Sequence, residues 1–220
     1  MAQHTVLQWL DGRGWLVLSG GHVAGSQVRA QALGRVAADG GVAYVSLGSG
    51  SNLGEKALAD LDDLGAPPGY LVDVISEDDQ TIQARLSDAC MIVIEAGSSL
   101  DEMRSALLGA AADGIQVAYE HGAIILVEGL SASVFGAWVY LQTGKITTGL
   151  DWLHNALIVP GVTAIADSQA GREVLAAQPG AIAIGIGSGS ALALGPDGEV
   201  EIWGERQVTI TLGRGFHPPT

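Results

Sequence analysis

Short apolar runs recur along the chain, each closed by glycine, proline or small polar residues and most followed by a stretch with helical spacing. Trp15-Leu-Val-Leu-Ser19 ends at Gly20-Gly21, and Val28, Ala32, Leu33 and Val36 then fall on one face of a helix predicted over 26–38. A second strand over 42–47 leads through a glycine and serine loop, 48–52, into a helix over 53–64 whose acidic residues face water. Pro67 and Pro68 stop it. A third strand over 70–75 precedes Ser76 and Asp79, which resemble a capped helix start. Met91 to Glu95 reads as a fourth strand, followed by Ala96-Gly97-Ser98-Ser99 and a helix over 100–112. Strands joined through helices need crossovers, so these strands are expected to lie parallel in one sheet.

The fifth apolar run, Ala123 to Glu128, breaks at Gly129 into Leu-Ser-Ala-Ser, which reads as a buried strand turning sharply into a helix over 134–141. Residues 143–155, with Asp151, Trp152 and His154, read as an irregular loop beside the top edge of the sheet. Beyond Pro160 a strand is expected over 162–166, a helix over 169–177 and a strand over 181–186. The short runs 191–194, 199–203 and 207–212 are parted by Pro196-Asp197-Gly198 and Gly204-Glu205, the signature of antiparallel hairpins. The tail 215–220 is expected to be loose. The prediction is one α/β domain over 1–220, a parallel sheet flanked by helices with C-terminal antiparallel hairpins.

Composition narrows the partners. With 48% apolar, 15% charged and 5% aromatic residues, the core must be built from Ala, Val, Leu and Ile, as suits strands buried on both faces. The net charge of −14 argues against a nucleic-acid backbone and an anionic membrane surface as partners. Cys90 is the single cysteine, so no disulfide forms within the chain, and its apolar neighbours mark it as a small buried residue. The first residues lack a basic region followed by an apolar stretch, and no apolar run approaches the roughly 18–20 residues of a membrane span, so a cytoplasmic protein is expected. No metal centre or cofactor is expected. Neither Gly20-Gly21 nor the 48–52 loop has the spacing or the lysine of a phosphate-binding fingerprint, which weakens a nucleotide-binding reading.

The candidate chemistry lies at the fifth turn. Ser131 has Gly129 two residues before it and the small Ser133 two after it, the pattern of a nucleophile elbow, in which a strained turn lifts the serine hydroxyl above the carboxyl end of the sheet. An ordinary strand-to-helix junction with serine as a helix starter fits the same residues. Backbone N–H groups at Gly97 and Ser98, before the helix at Leu100, can hold an oxyanion or a carboxylate, although the spacing by itself favours a simple capped helix start. A serine needs a positioned base. Of the five histidines, His4 and His217 lie in the tails and His121 at the far end of the elbow strand, leaving His22 and His154 as weak candidates, with Asp167 as a carboxylate alternative.

The order of these motifs resembles the cyanophycinase and dipeptidase E group, the S51 serine peptidases, whose flavodoxin-like fold is that of the class I glutamine amidotransferases. The likeness runs from about Gly14 to Leu212. It is carried by Gly20-Gly21, by Glu95-Ala-Gly-Ser-Ser-Leu at the place of a Gly-Gly-Asp/Asn-Gln-Leu loop, and by Gly129-Leu-Ser-Ala-Ser at the place of Gly-Thr-Ser-Ala-Gly. Leu157-Ile-Val-Pro-Gly-Val162, Gly171-Arg172 and Gly185-Ile-Gly187 complete it. The resemblance implies Ser131 as nucleophile, the backbone N–H groups of Ala132 and of the Gly97 region as the oxyanion hole, a small peptide as ligand and a homodimer. It also exposes two departures. The family's histidine falls near Ala166, and its acidic partner falls at Ser188 and Gly189. The expectation is a catalytically degenerate member kept for binding or assembly. The alternative is an active peptidase or amidase acting on small Asp-containing peptides through His154, His22 or Asp167.

Overall fold

In the computed structural model, which describes residues 6–47, 51–95, 97 and 99–217, the chain begins with β1 (Trp15–Ser19), buried along its whole length, and α1 (Val28–Leu33). β2 (Val42–Ser46), α2 (Ser51–Asp63), β3 (Gly69–Asp73), α3 (Asp79–Ser87) and β4 (Met91–Ile94) continue the alternation. Ser99 caps α4 (Leu100–Leu107), and Gly109, at φ 76°, separates it from α5 (Ala110–Glu120). β5 (Ile124–Glu128) then leads into a 3₁₀ segment, Gly129–Phe135. β6 (Gly136–Tyr140), β7 (Ile146–Thr148), β8 (Leu153–Pro160), α6 (Gln169–Ala177), β9 (Ile182–Ile186), β10 (Ser190–Leu194), β11 (Val200–Gly204) and β12 (Val208–Leu212) complete the chain.

Two sheets result. The larger runs β11-β10-β1-β5-β4-β2-β3; its five members β1 to β5 are mutually parallel, and β10 and β11 are antiparallel additions beside β1. The smaller runs β12-β9-β8-β6-β7, with β6, β8 and β9 parallel and an antiparallel strand at each edge. Strand periodicity divides the side chains among the layers. Val17, Tyr44, Val93 and Leu126 face α1 and α2, whereas Leu16, Leu18, Val45, Ile94, Ile125 and Val127 face α3, α4, α5 and the inner face of the smaller sheet. Leu157, Val159 and Ala183 on that sheet's outer face pack on Val174 of α6.

The parallel strands β1 to β5 agree with the periodicity. Other expectations change. The helix expected over 134–141 is the end of the 3₁₀ segment followed by β6, because Val134 and Phe135 are drawn into the core between the sheets and Trp138-Val-Tyr140 continues as a strand. The region 143–155 contains β7 and the start of β8, while the strand expected over 162–166 is a loop with a 3₁₀ turn at Ile165–Asp167. Only β10 and β11 form a C-terminal hairpin; β12 crosses back to pair with β9. Asp78, not Ser76, caps α3, its carboxylate accepting from Thr81 N–H at 3.0 Å. The tail is tied down as far as Phe216, which packs against the core, by Gly215 N–H donating to Pro179 O at 2.9 Å. Part of the 48–52 loop lies outside the described residues, as do 218–220. Among the described residues no helix is long and apolar enough to cross a membrane.

Candidate functional site

In an open parallel sheet, ligands approach the carboxyl ends of the strands, near the point where the strand order reverses. Here that point lies between β2 and β4, since the chain leaves β2 toward β3 and then returns to β4 and β5. Glu95, just past β4 and 2% exposed, ties the two strand ends together: its carboxylate accepts from Leu47 N–H at 2.7 Å and from the Tyr44 hydroxyl at 3.5 Å.

Ser131 lies one strand away, beyond the end of β5, and is fully buried. Its hydroxyl donates to the carbonyl oxygen of Glu95 and accepts from Gly97 N–H at 3.3 Å, with the Met103 sulfur 3.0 Å away. The serine therefore fastens the loop after β4 to the 3₁₀ segment after β5. The backbone corrects the expectation of a strained elbow at Ser131. The residue with positive φ is Gly129, at 60°, directly after β5, and Ser131 is not among the non-glycine residues with positive φ. The tip of the turn carries no side chain. Gly21, from the turn after β1, lies over it, and a Cβ on Gly21 would stand 3.9 Å from the Gly129 Cα.

The other candidates do not converge on Ser131. His154 is the second residue of β8, its backbone N–H bonded to Gln8 O and its ring 3.4 Å from the Asp151 carboxylate, and it lines a groove of about 1040 Å³ with Trp9, Arg13, Glu120 and Pro196. That groove lies beside the start of β1, at the opposite end of the sheet. His22 follows the turn after β1 and is exposed; neither histidine is a hydrogen-bond partner of the Ser131 hydroxyl. Asp167 is exposed in the turn before α6. Of the expected oxyanion donors, Gly97 points its N–H at Ser131 itself, Ala132 is fully buried, and Ser98 lies outside the described residues. Among the described residues no group of three or more His, Cys, Asp or Glu is placed to hold a metal ion.

The charged residues that do converge went unnoticed in the sequence. Arg29 of α1 forms a two-pronged pair with Glu128 at the end of β5, Nε to Oε1 at 3.0 Å and Nη2 to Oε2 at 2.8 Å, and its Nη1 reaches Asp60 of α2 at 3.3 Å. Arg29 and Glu128 are 6% and 5% exposed, so this pair is desolvated. The only forewarning was a charge on an otherwise apolar strand and another on the apolar face of a helix. With Glu95, the pair surrounds Tyr44 with charge. Burial, and then the Glu95 and Glu128 carboxylates, push the Tyr44 phenol well above its ordinary range, while burial takes Tyr119 up to about 12. Tyr70 and Tyr140 are raised as well.

A raised phenol pKa means that the folded state holds its proton after the unfolded chain has lost it. The stability from this source is complete below about pH 10, the unfolded value, and disappears as pH rises through the folded values. In an absorbance titration at the tyrosinate band, Tyr44 and Tyr119 are expected to stay protonated at pH 10 and to ionise in a steep rise coincident with loss of folded structure. A midpoint at the ordinary phenol value in the folded chain would contradict the burial of these groups.

Together, the helix-flanked parallel sheet and its switch point define a flavodoxin-like α/β fold. No family model and no curated protein matches the chain. Among solved structures it is similar to a peptidase from an acI-B1 Actinobacterium, with a TM-score of 0.72 at 19% identity over 93% of each chain. It is also similar to a protein described as a candidate peptidase E from Listeria monocytogenes EGD-e, with a TM-score of 0.59 at 15% identity over 90% of this chain and 98% of that one. At these identities the shared property is the fold.

Proposed function

We propose that the chain is a relative of the S51 peptidases, the peptidase E and cyanophycinase group, in which the serine site has become structural and the scaffold serves binding or assembly. One observation carries this reading: the Ser131 hydroxyl gives its proton to a backbone carbonyl, Glu95 O, and not to an imidazole or carboxylate. A carbonyl oxygen cannot take that proton away, so the hydroxyl is not activated. The side chain is also enclosed by Glu95, Gly97 and Met103, and the turn that would display a nucleophile carries Gly129 at its tip. Ala166 and Ser188-Gly189 stand where the family has its histidine and acid.

The reading is tested with a panel of dipeptides, Asp-Arg and Asp-Leu among them, offered to the parent chain and to Ser131→Ala. Neither protein is expected to hydrolyse any of them. The substitution is expected to lower stability by about 1–3 kcal/mol, because it leaves Gly97 N–H and Glu95 O without their shared partner. Turnover by the parent that Ser131→Ala abolishes would restore the active-peptidase alternative and return attention to His22, His154 and Asp167.

A further inference from the structure

The groove of about 1040 Å³ beside the start of β1 lies at the opposite end of the sheet from Ser131, and nothing in the serine site uses it. One wall is the run 7–13 that leads into β1. Glu120 at the end of α5, His154 and the turn Gly195–Gly198 between β10 and β11 form the others. Its volume stands at the top of the range of about 300–1,000 Å³ usual for small-molecule sites. Gln8, Asp11, Arg13, Glu120 and Asp197 are all exposed, so the groove is open along its length and suits a long, thin ligand better than a compact one.

The hydrogen-bonding capacity left in this lining is mostly that of acceptors. Leu10 N–H donates to Trp152 O at 2.9 Å and His154 N–H to Gln8 O at 2.8 Å, bracketing the bridge between Trp9 and Leu153. The Trp9 N–H and C=O therefore point away from β8, and neither has a backbone partner among the described residues. The Asp151 carboxylate faces His154 Nδ1 at 3.4 Å, which keeps the proton of the neutral ring there and leaves Nε2 an acceptor. The carboxylates of Asp11, Glu120 and Asp197 have no ion-pair partner among the described residues. The one guanidinium in the lining, Arg13, is turned onto the backbone, its Nε donating to Glu120 O at 2.9 Å. Trp9 and Pro196, both half-buried, supply apolar surface.

We propose that the groove binds a linear aliphatic oligoamine, its ammonium groups on these carboxylates and the Trp9 carbonyl and its methylene spacers along Trp9 and Pro196. An ammonium group has donors and no acceptor, the complement of this lining. Over the face of an indole it is also attracted by the ring quadrupole. Long-range charge selects the same class, since the net charge of −14 draws cations in and repels anions. An anionic ligand would find Arg13 alone against the carboxylates of Asp11, Glu120 and Asp197. The inference does not rest on the fate of Ser131.

Calorimetric titration of the whole chain with spermine tests it, in about 0.15 M salt, where attraction between exposed charges is screened beyond about 8 Å. The parent is expected to bind one spermine, with NMR amide shifts confined to 7–13, Glu120, His154 and 195–198. Trp9→Leu keeps an apolar side chain and is expected to weaken binding about two- to fivefold, the worth of one exposed cation–π contact. Glu120→Gln with Asp197→Asn, both exposed and harmless to the fold, is expected to weaken it about fivefold. Asp62→Asn with Asp63→Asn removes the same charge from the end of α2, outside the groove, and is expected to leave binding unchanged. No binding, several spermines per chain, an equal loss from the two acidic pairs, or full affinity in Trp9→Leu would overturn the proposal.

Discussion

Replacing Arg29 with alanine is expected to destabilise the chain by about 3–5 kcal/mol, the cost of leaving a buried partner charge uncompensated. The partner is Glu128, whose side chain is 6% exposed and whose two oxygens both receive Arg29 donors. Burial by itself would lower the Arg29 pKa, but the hydrogen bonds and charge of Glu128 outweigh it and hold the guanidinium charged. Asp60 cannot substitute, since its side chain is 60% exposed and an exposed ion pair contributes little. Because a buried pair gains much of its importance from the penalty of breaking it, Arg29→Met combined with Glu128→Leu should recover most of the loss. Urea unfolding of the two single variants and the double variant measures this as a thermodynamic cycle. A loss below about 1 kcal/mol in Arg29→Ala would mean that Glu128 is solvated.

Phe135→Ala is expected to cost a similar amount, about 3–5 kcal/mol. Phe135 ends the 3₁₀ segment that begins at Gly129; it is fully buried and meets the Trp152 ring edge-on at 5.3 Å between centroids. Trp152 in turn packs on Tyr119 of α5 at 5.4 Å, so the phenylalanine joins the segment after β5 to both the smaller sheet and the helical layer. Truncation leaves a cavity where these layers meet, and a well-packed interior collapses into it only in part. Thermal or denaturant unfolding should register the full effect. A small loss would indicate that the segment is free to rearrange, as a displayed catalytic turn would require and a core element would not.

This packing explains why the site was harder to read from sequence than the fold. The strand at 15–19 and the helix at 169–177 coincide with β1 and α6, because periodicity, glycine breaks and caps act within a few residues. The meaning of Gly129-Leu-Ser-Ala-Ser is set elsewhere. A glycine two residues before a serine suits an elbow with the serine at its tip, and it equally suits a turn with the glycine at its tip and the serine folded beneath. Val134 and Phe135, drawn into the core between the sheets, accompany the second arrangement. Gly136-Ala-Trp-Val-Tyr140 has apolar positions compatible with either period, and its pairing with β8 and β7 makes it a strand. The smaller sheet was invisible for the same reason: β6 reads as helix and the start of β8 as loop, so the strand expected at 181–186 had no visible parallel neighbour. Arg29 and Glu128 lie 99 positions apart, so no local pattern could announce their pairing.

The central claim is that Ser131 is a fastener and not a nucleophile. The most direct measurement is the intact mass of the folded chain after incubation with a fluorophosphonate, which adds covalently to serine hydroxyls that a neighbouring base has activated. The account predicts an unchanged mass, because the Ser131 hydroxyl is buried and donates to Glu95 O. One adduct per chain, mapped to Ser131 and absent from Ser131→Ala, would contradict it.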